Sequence, residues 1–132
     1  TDVVHNNLLL SNFFNVTNDC RTLSSIAGGG WFHNAIAVHP LDPDIVYAGG
    51  VDLFRSNDGG AQFRPISRWH LDPANPAYAH ADQHVIAFEP GFDGVTRTRL
   101  WVANDGGIQS TDNPTAAAGN DICSELGIGV VW

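Results

Sequence analysis

The chain repeats itself. Val46–Asp58 lays without a gap over Leu100–Asp112, so that Ser56 aligns with Ser110 and Asp58 with Asp112 at a constant offset of 54. Each copy reads as an apolar strand, a glycine-bearing turn, a second strand and then Ser-x-Asp, the mark of stacked β units. Upstream, Ala35–Pro40 resembles Val85–Pro90 at an offset of 50, which places an insertion of four residues in the second copy. That insertion falls in Gly91 to Arg99, a turn-rich stretch where added length is tolerated.

A period in the fifties leaves room for about two units in 132 residues, whereas stacked architectures usually need about three or more neighbours to bury their faces. The chain therefore reads as part of a larger array. Thr1 at one end and the strand-like Gly127–Trp132 at the other look cut rather than capped. Strands are expected over Asn34–His39, Ile45–Ala48, Leu53–Ser56 and Gln62–Ile66, then Gln83–Glu89, Arg99–Ala103 and Ile108–Ser110, separated by glycine, proline and Asn/Asp turns. No helical periodicity of useful length occurs, so the fold class is all-β, with about two four-stranded antiparallel units. Residues 1–30 read as flanking strands of a preceding unit and 31–67 as the first full unit. Residues 68–82 read as an inter-unit loop rich in turn formers, 83–118 as the second unit, and 119–132 as the start of a following strand.

Composition removes several functions. The formal net charge is −8 and all six basic residues are arginine, with no basic stripe. Such a surface repels phosphate backbones and speaks against nucleic acid as a partner. No apolar run approaches the ~20 residues that a membrane-spanning helix needs. Cys20 and Cys123 lack zinc-like spacing; they suit either a disulfide between the first and last segments, as an oxidising compartment permits, or two free buried thiols. Asn15-Val16-Thr17 is a glycosylation sequon.

The stretch Ser56-Asn-Asp58-Gly-Gly60-Ala-Gln-Phe63 has a mechanical reading. Asp58 accepts hydrogen bonds from backbone amides in a hairpin turn, glycine supplies positive φ, the Ser56 hydroxyl closes the other side, and Phe63 folds over the turn. Ser-x-Asp-x-Gly-x-x-Phe/Trp resembles the Asp-box, or bacterial neuraminidase repeat, of sialidases, xyloglucan-degrading glycoside hydrolases, sortilin-type domains and uncharacterised secreted bacterial proteins. In the second copy Ser110 and Asp112 fit, but Pro114 stands where glycine is expected and Ala117 where the aromatic belongs. Asn104-Asp-Gly-Gly107 is similar to a recurrent stretch of the same superfamily. The resemblance covers about residues 31 to 112 and implies β-propeller blades in a secreted or cell-surface protein. It also implies that Ser56, Asp58, Gly60, Phe63, Ser110 and Asp112 are structural, with ligands met at the central face.

Chemistry is sought elsewhere. His80, Asp82 and His84 alternate, and on an extended strand they would share one face. Two imidazoles and a carboxylate are a ligand set for a divalent metal such as Zn²⁺, Mn²⁺ or Fe²⁺. The plainer reading, which we prefer, is that they hydrogen-bond loops and one another, with no cofactor. Asp82 and Asp105 are the acids best placed for glycoside hydrolysis, although turn formation is the simpler role for Asp105. Trp31 and Trp69 could stack on sugar rings or belong to the core. No arginine cluster paired with a tyrosine nucleophile suggests a sialidase site, and no phosphate loop or nucleophile elbow is present. The expected function is a non-catalytic binding or structural scaffold. Its partners would be remaining blades or other copies of the chain, a polysaccharide or a surface protein. The rival is a segment of a glycoside hydrolase.

Overall fold

In a computed structural model of the chain, the described residues are 33–120 and 126–132. The strands expected over 1–30, the sequon, Trp31 and the Cys20/Cys123 pair fall outside them. Seven strands follow in order: β1 (Ala35–Val38), β2 (Val46–Gly49), β3 (Leu53–Ser56), β4 (Arg64–Pro65), β5 (Gln83–Phe88), β6 (Leu100–Asn104) and β7 (Gly107–Thr111). They make two antiparallel meanders, a first sheet ordered β1-β2-β3-β4 and a second ordered β5-β6-β7. Neither sheet closes on itself. Among the described residues there is no helix, and hence none long and apolar enough to cross a membrane.

The pleat decides which residues meet. Ladder register puts Ala35, Ala37, Tyr47, Leu53 and Arg55 on one face of the first sheet. Likewise Ile86, Phe88, Leu100 and Val102 share a face of the second. Those faces pack together in one core that also takes Ile66, Ala79 and Val130. Burying such side chains contributes about 1.5–3 kcal/mol each. Close approach is possible because Gly49 has no side chain: a Cβ there would lie 2.7 Å from Gln83 Cβ.

The two sheets are not register-identical. Gly49 pairs with Leu53 across a three-residue loop, whereas Ala103 pairs with Ile108 and Asn104 with Gly107, leaving one extra residue in the second hairpin. Val46 therefore faces Ser56, while its counterpart Leu100 faces Thr111 rather than Ser110. This corrects the alignment of the second acidic turn. Ser56 Oγ donates to Asp58 Oδ1 at 2.6 Å and accepts from the Asp58 amide at 3.2 Å. Thr111 Oγ1 donates to Asn113 Oδ1 at 2.7 Å and accepts from the Asn113 amide at 3.2 Å. Ser110 and Asp112 do not form the second turn; Asp112 instead holds Arg99 through two bonds of 2.6 and 2.8 Å.

Beyond the turn the copies part, and the expected fourth strand of the second sheet does not form among the described residues. In the first copy Gly59 and Gly60 take positive φ (69° and 93°) and lead the chain back into β4. Pro114 stands in the place of Gly59, and its ring fixes φ near −65°. The chain leaves the second sheet and crosses to the first. There the Pro114 carbonyl accepts from Arg55 Nη1 at 2.6 Å and Tyr47 Oη at 3.1 Å, Ala116 O accepts from Arg55 at 2.7 Å, and Gly119 N donates to Pro65 O at 2.8 Å. Residues 126–132 form no ladder strand and are held instead by Gly129 N to Ala117 O (2.7 Å) and Trp132 Nε1 to Ile66 O (2.8 Å).

The inter-sheet loop is pinned from inside. Arg68 Nη1 lies 3.0 Å from Asp52 Oδ2, both side chains essentially fully buried, and the Trp69 amide donates to Asp52 Oδ1 at 2.8 Å. Burial pushes the Asp52 carboxyl up, while Arg68 and the Trp69 amide pull it back. The loop's outer bend is made by Asp72 and Asn75, whose side-chain oxygens accept from the amides two residues on.

Candidate functional site

The sequence candidates gather at one end of the sheets because backbone bonds draw four segments together. The amides of Asp82 and Gln83 donate to the carbonyls of Val51 and Gly50 in the first hairpin (3.1 and 2.8 Å). The Asp105 amide in the second hairpin donates to Ala81 O at 3.3 Å. Gln109 Oε1 ties the same corner by accepting from the His80 amide at 2.8 Å and from Asn104 Nδ2 at 2.9 Å.

His80, Asp82 and His84 do not share a strand face. β5 begins only at Gln83, Asp82 has φ of 68°, and the ladder bulges between Gln83 and Val85. A left-handed residue and a bulge each break the two-residue alternation on which the expectation rested. The three side chains go separate ways. His84 Nε2 donates to Asp105 Oδ1 at 2.6 Å. Asp82 Oδ1 lies 3.5 Å from His33 Nδ1. The His80 ring covers the second hairpin, so that a Cβ on Gly106 would fall 2.5 Å from His80 Cγ. Among the described residues no group of three His, Cys, Asp or Glu side chains is placed to hold a metal ion.

What forms instead is a row of imidazole–carboxylate pairs. The rings of His33 and His84 stand 5.6 Å apart and link the Asp82 pair to the Asp105 pair. The hydrogen bond from His84 is the main reason that the Asp105 carboxyl is held below its usual range. A carboxylate in that state accepts protons poorly near neutral pH, the opposite of what a glycosidase general acid requires.

Trp69 is half-buried beside the Asp52–Arg68 pair and meets His70 edge to face at 6.1 Å, so it belongs to the loop's packing. Phe63, also half-buried, reaches back over its turn, with ring atoms 3.8 Å from where a Gly60 Cβ would sit. A separate open cleft of about 440 Å³ lies beside the first acidic turn, lined by Arg55, Asn57, Asp58, Gln62, Arg64 and Ala118. Its polar groups are largely spent on one another: Arg55 Nε donates to Asn57 at 3.0 Å, and Gln62 N to Asp58 at 2.8 Å.

Sequence reasoning missed His33, Gln109, the Asp52–Arg68 pair and the Thr111–Asn113 turn. Only the last left a local signal, since Thr-x-Asn is itself a turn-forming triplet. No family model, curated protein or solved structure matches the chain.

Proposed function

We propose that this chain is part of a secreted or cell-surface Asp-box β-propeller that serves as a rigid, non-catalytic binding or structural scaffold. The observation that carries the reading is the recurrence of one hydroxyl-to-Asx bend, Ser56–Asp58 and Thr111–Asn113, after the same strand of two consecutive meanders. In each bend the hydroxyl and the Asx oxygen bond one another and accept from backbone amides, those of Gly60 and Gln62 in the first and of Asn113 and Val131 in the second, which stiffens the turn. The path from β4 through the inter-sheet loop into β5, packed beside β1 and β2, suits successive blades. Secretion rests on the likeness of the first bend to the Asp-box.

Of the two acids considered for hydrolysis, Asp105 is held low by its bond from His84, which does not suit a glycosidase general acid and favours the binding reading. The test is to incubate the chain with xyloglucan, sialylated oligosaccharides and other polysaccharides while measuring binding and released reducing ends. Retention without cleavage is the expected outcome. Cleavage abolished by Asp105→Asn or Asp82→Asn would establish the glycoside hydrolase instead.

A further inference from the structure

Two arginines beside the first acidic turn lack the partner that their charge calls for. Arg55 and Arg64 are direct cross-strand partners on β3 and β4, so their side chains share one face, and like charges directly opposite destabilise a ladder. Arg55 is only 5% exposed, yet it and Arg64 both line the open cleft of about 440 Å³. Arg68 and Arg99 are each matched with an aspartate, whereas among the described residues neither Arg55 nor Arg64 has an acid within ion-pair distance. Asp58, the one acid of the lining, has Oδ1 engaged by Ser56 and the Gln62 amide. Arg55 does hold the Pro114 and Ala116 carbonyls, but these bring only partial charge, and a buried charge is ordinarily met by an opposite one. Burial lowers the basicity of its guanidinium, and Tyr47 rather than a carboxylate offsets that. Closure of the bend needs neither arginine: Ser56, Asp58 and backbone amides suffice, and register puts Ser110 at the place of Arg55 in the second sheet.

We infer that this cleft binds a sugar acid, its carboxylate bridging Arg55 and Arg64 and its hydroxyls meeting the turn. A carboxylate accepts from two guanidinium groups at once and supplies the negative charge that the opposed pair lacks. The rest of the lining selects for hydroxyls. Asn57 and Gln62 bring side-chain amides and Asp58 a carboxylate, groups that donate to or accept from an alcohol, and Ala118 is the one apolar residue of the lining. An apolar acid would find little there to cover its tail. The volume falls in the range of roughly 300–1,000 Å³ usual for small-molecule sites. The cleft lies beside the turn that ends β3, whereas Asp82 and Gln83 bond the hairpin that begins it, so this is a different site from the imidazole–carboxylate row. The inference goes beyond the scaffold reading and holds with or without a propeller around the cleft.

Titration of the isotopically labelled 132-residue chain with D-galacturonate up to about 20 mM, followed by nuclear magnetic resonance, tests it. The amides of residues 57–64 and the Arg55 Nε–H should shift together with a dissociation constant of roughly 1 mM or tighter, and the affinity should fall as salt is added. Arg64→Gln should weaken binding at least about tenfold. The Arg64 side chain is exposed, so far-UV dichroism should be unchanged. Gln62→Ala, also at an exposed position, should weaken galacturonate about threefold and leave acetate unaffected. Arg97→Gln, on the loop between β5 and β6, should bind as the wild type does. D-Galactose, acetate and phosphate should each bind at least about tenfold more weakly than galacturonate. No shift around the cleft, wild-type affinity in Arg64→Gln, or galactose, acetate or phosphate binding as tightly as galacturonate would each overturn the proposal. Xyloglucan retained by a chain in which galacturonate moves nothing leaves the scaffold reading intact and removes this one; galacturonate in the cleft of a chain that retains no polymer does the reverse.

Discussion

Ser56 and Thr111 are structural counterparts: each faces the first residue of the preceding strand, Val46 or Leu100, and each donates its hydroxyl to the Asx side chain two residues on. Thr111→Val and Ser56→Ala should therefore each cost about 1 kcal/mol of stability, the usual net worth of a buried hydrogen bond. Ser110→Ala should change stability by less than about 0.5 kcal/mol. Urea unfolding followed by tryptophan fluorescence separates the cases; equal losses from Ser110 and Thr111 would return the turn to the alignment that the sequence favours.

That one-residue displacement shows what was legible and what was not. The positions of β1–β3 and β5–β7 and the loop nature of 91–99 follow from alternation and turn residues, whereas the strand expected over Gln62–Ile66 shrinks to Arg64–Pro65 and those expected after β7 do not form among the described residues. The register of β7 does not follow, because one extra hairpin residue is invisible to an ungapped alignment in which Ser and Thr sit side by side. The site failed for a related reason. Alternation at His80, Asp82 and His84 presumes extended backbone, and the left-handed Asp82 removes it. Long-range partners such as Arg68 for Asp52 carry no local sequence mark at all.

The Asp52–Arg68 pair is buried on both sides. Removing one member strands a charge, so Asp52→Ala or Arg68→Met alone should destabilise by about 3–5 kcal/mol. The joint replacement Asp52→Leu with Arg68→Met should recover a large part of that loss. A double-mutant cycle by chemical denaturation measures the coupling; additive losses would mean that the pair is not a unit.

Tyr47 reports on alkaline stability. Burial pushes its hydroxyl up to about 12 from 10, against the pull of Arg55. The folded state prefers the neutral phenol, so this contribution is whole below pH 10, the unfolded value, and drains away as pH climbs toward 12. The loss is on the order of 2 kcal/mol. Tyr47→Phe should flatten stability over that range, as read by thermal unfolding at successive pH values.

Acid behaves in the opposite sense. Asp93 is held well below the usual carboxylate range by the Thr96 hydroxyl and by the amides of Arg97, Val95 and Thr96. Asp58 is held low chiefly by Ser56, and Asp112 by Arg99. The unfolded chain takes up protons near pH 4 while the folded one resists, so this stabilisation is present above that pH and fades as the solution becomes more acidic. Asp93→Ala should lower the urea midpoint at neutral pH and make its fall on acidification shallower.

Gly49 marks the closest approach of the sheets. Gly49→Ala would push a methyl against Gln83 and should cost about 1–3 kcal/mol. The equivalent position in the second copy, Ala103, already carries that methyl and is only partly buried, so Ala103→Val should be nearly neutral.

Pro114 has an effect on the order of events during synthesis. By sending the backbone across to Arg55 and Tyr47, it makes partners of positions 59 and 67 residues apart. Contacts so distant along the polypeptide close late and slow the search for the native state. The guanidinium of Arg55 and the phenol of Tyr47 thus emerge from the ribosome well before the carbonyls that receive them. The first sheet has to wait for residues 114 and 116 before its buried polar groups are met.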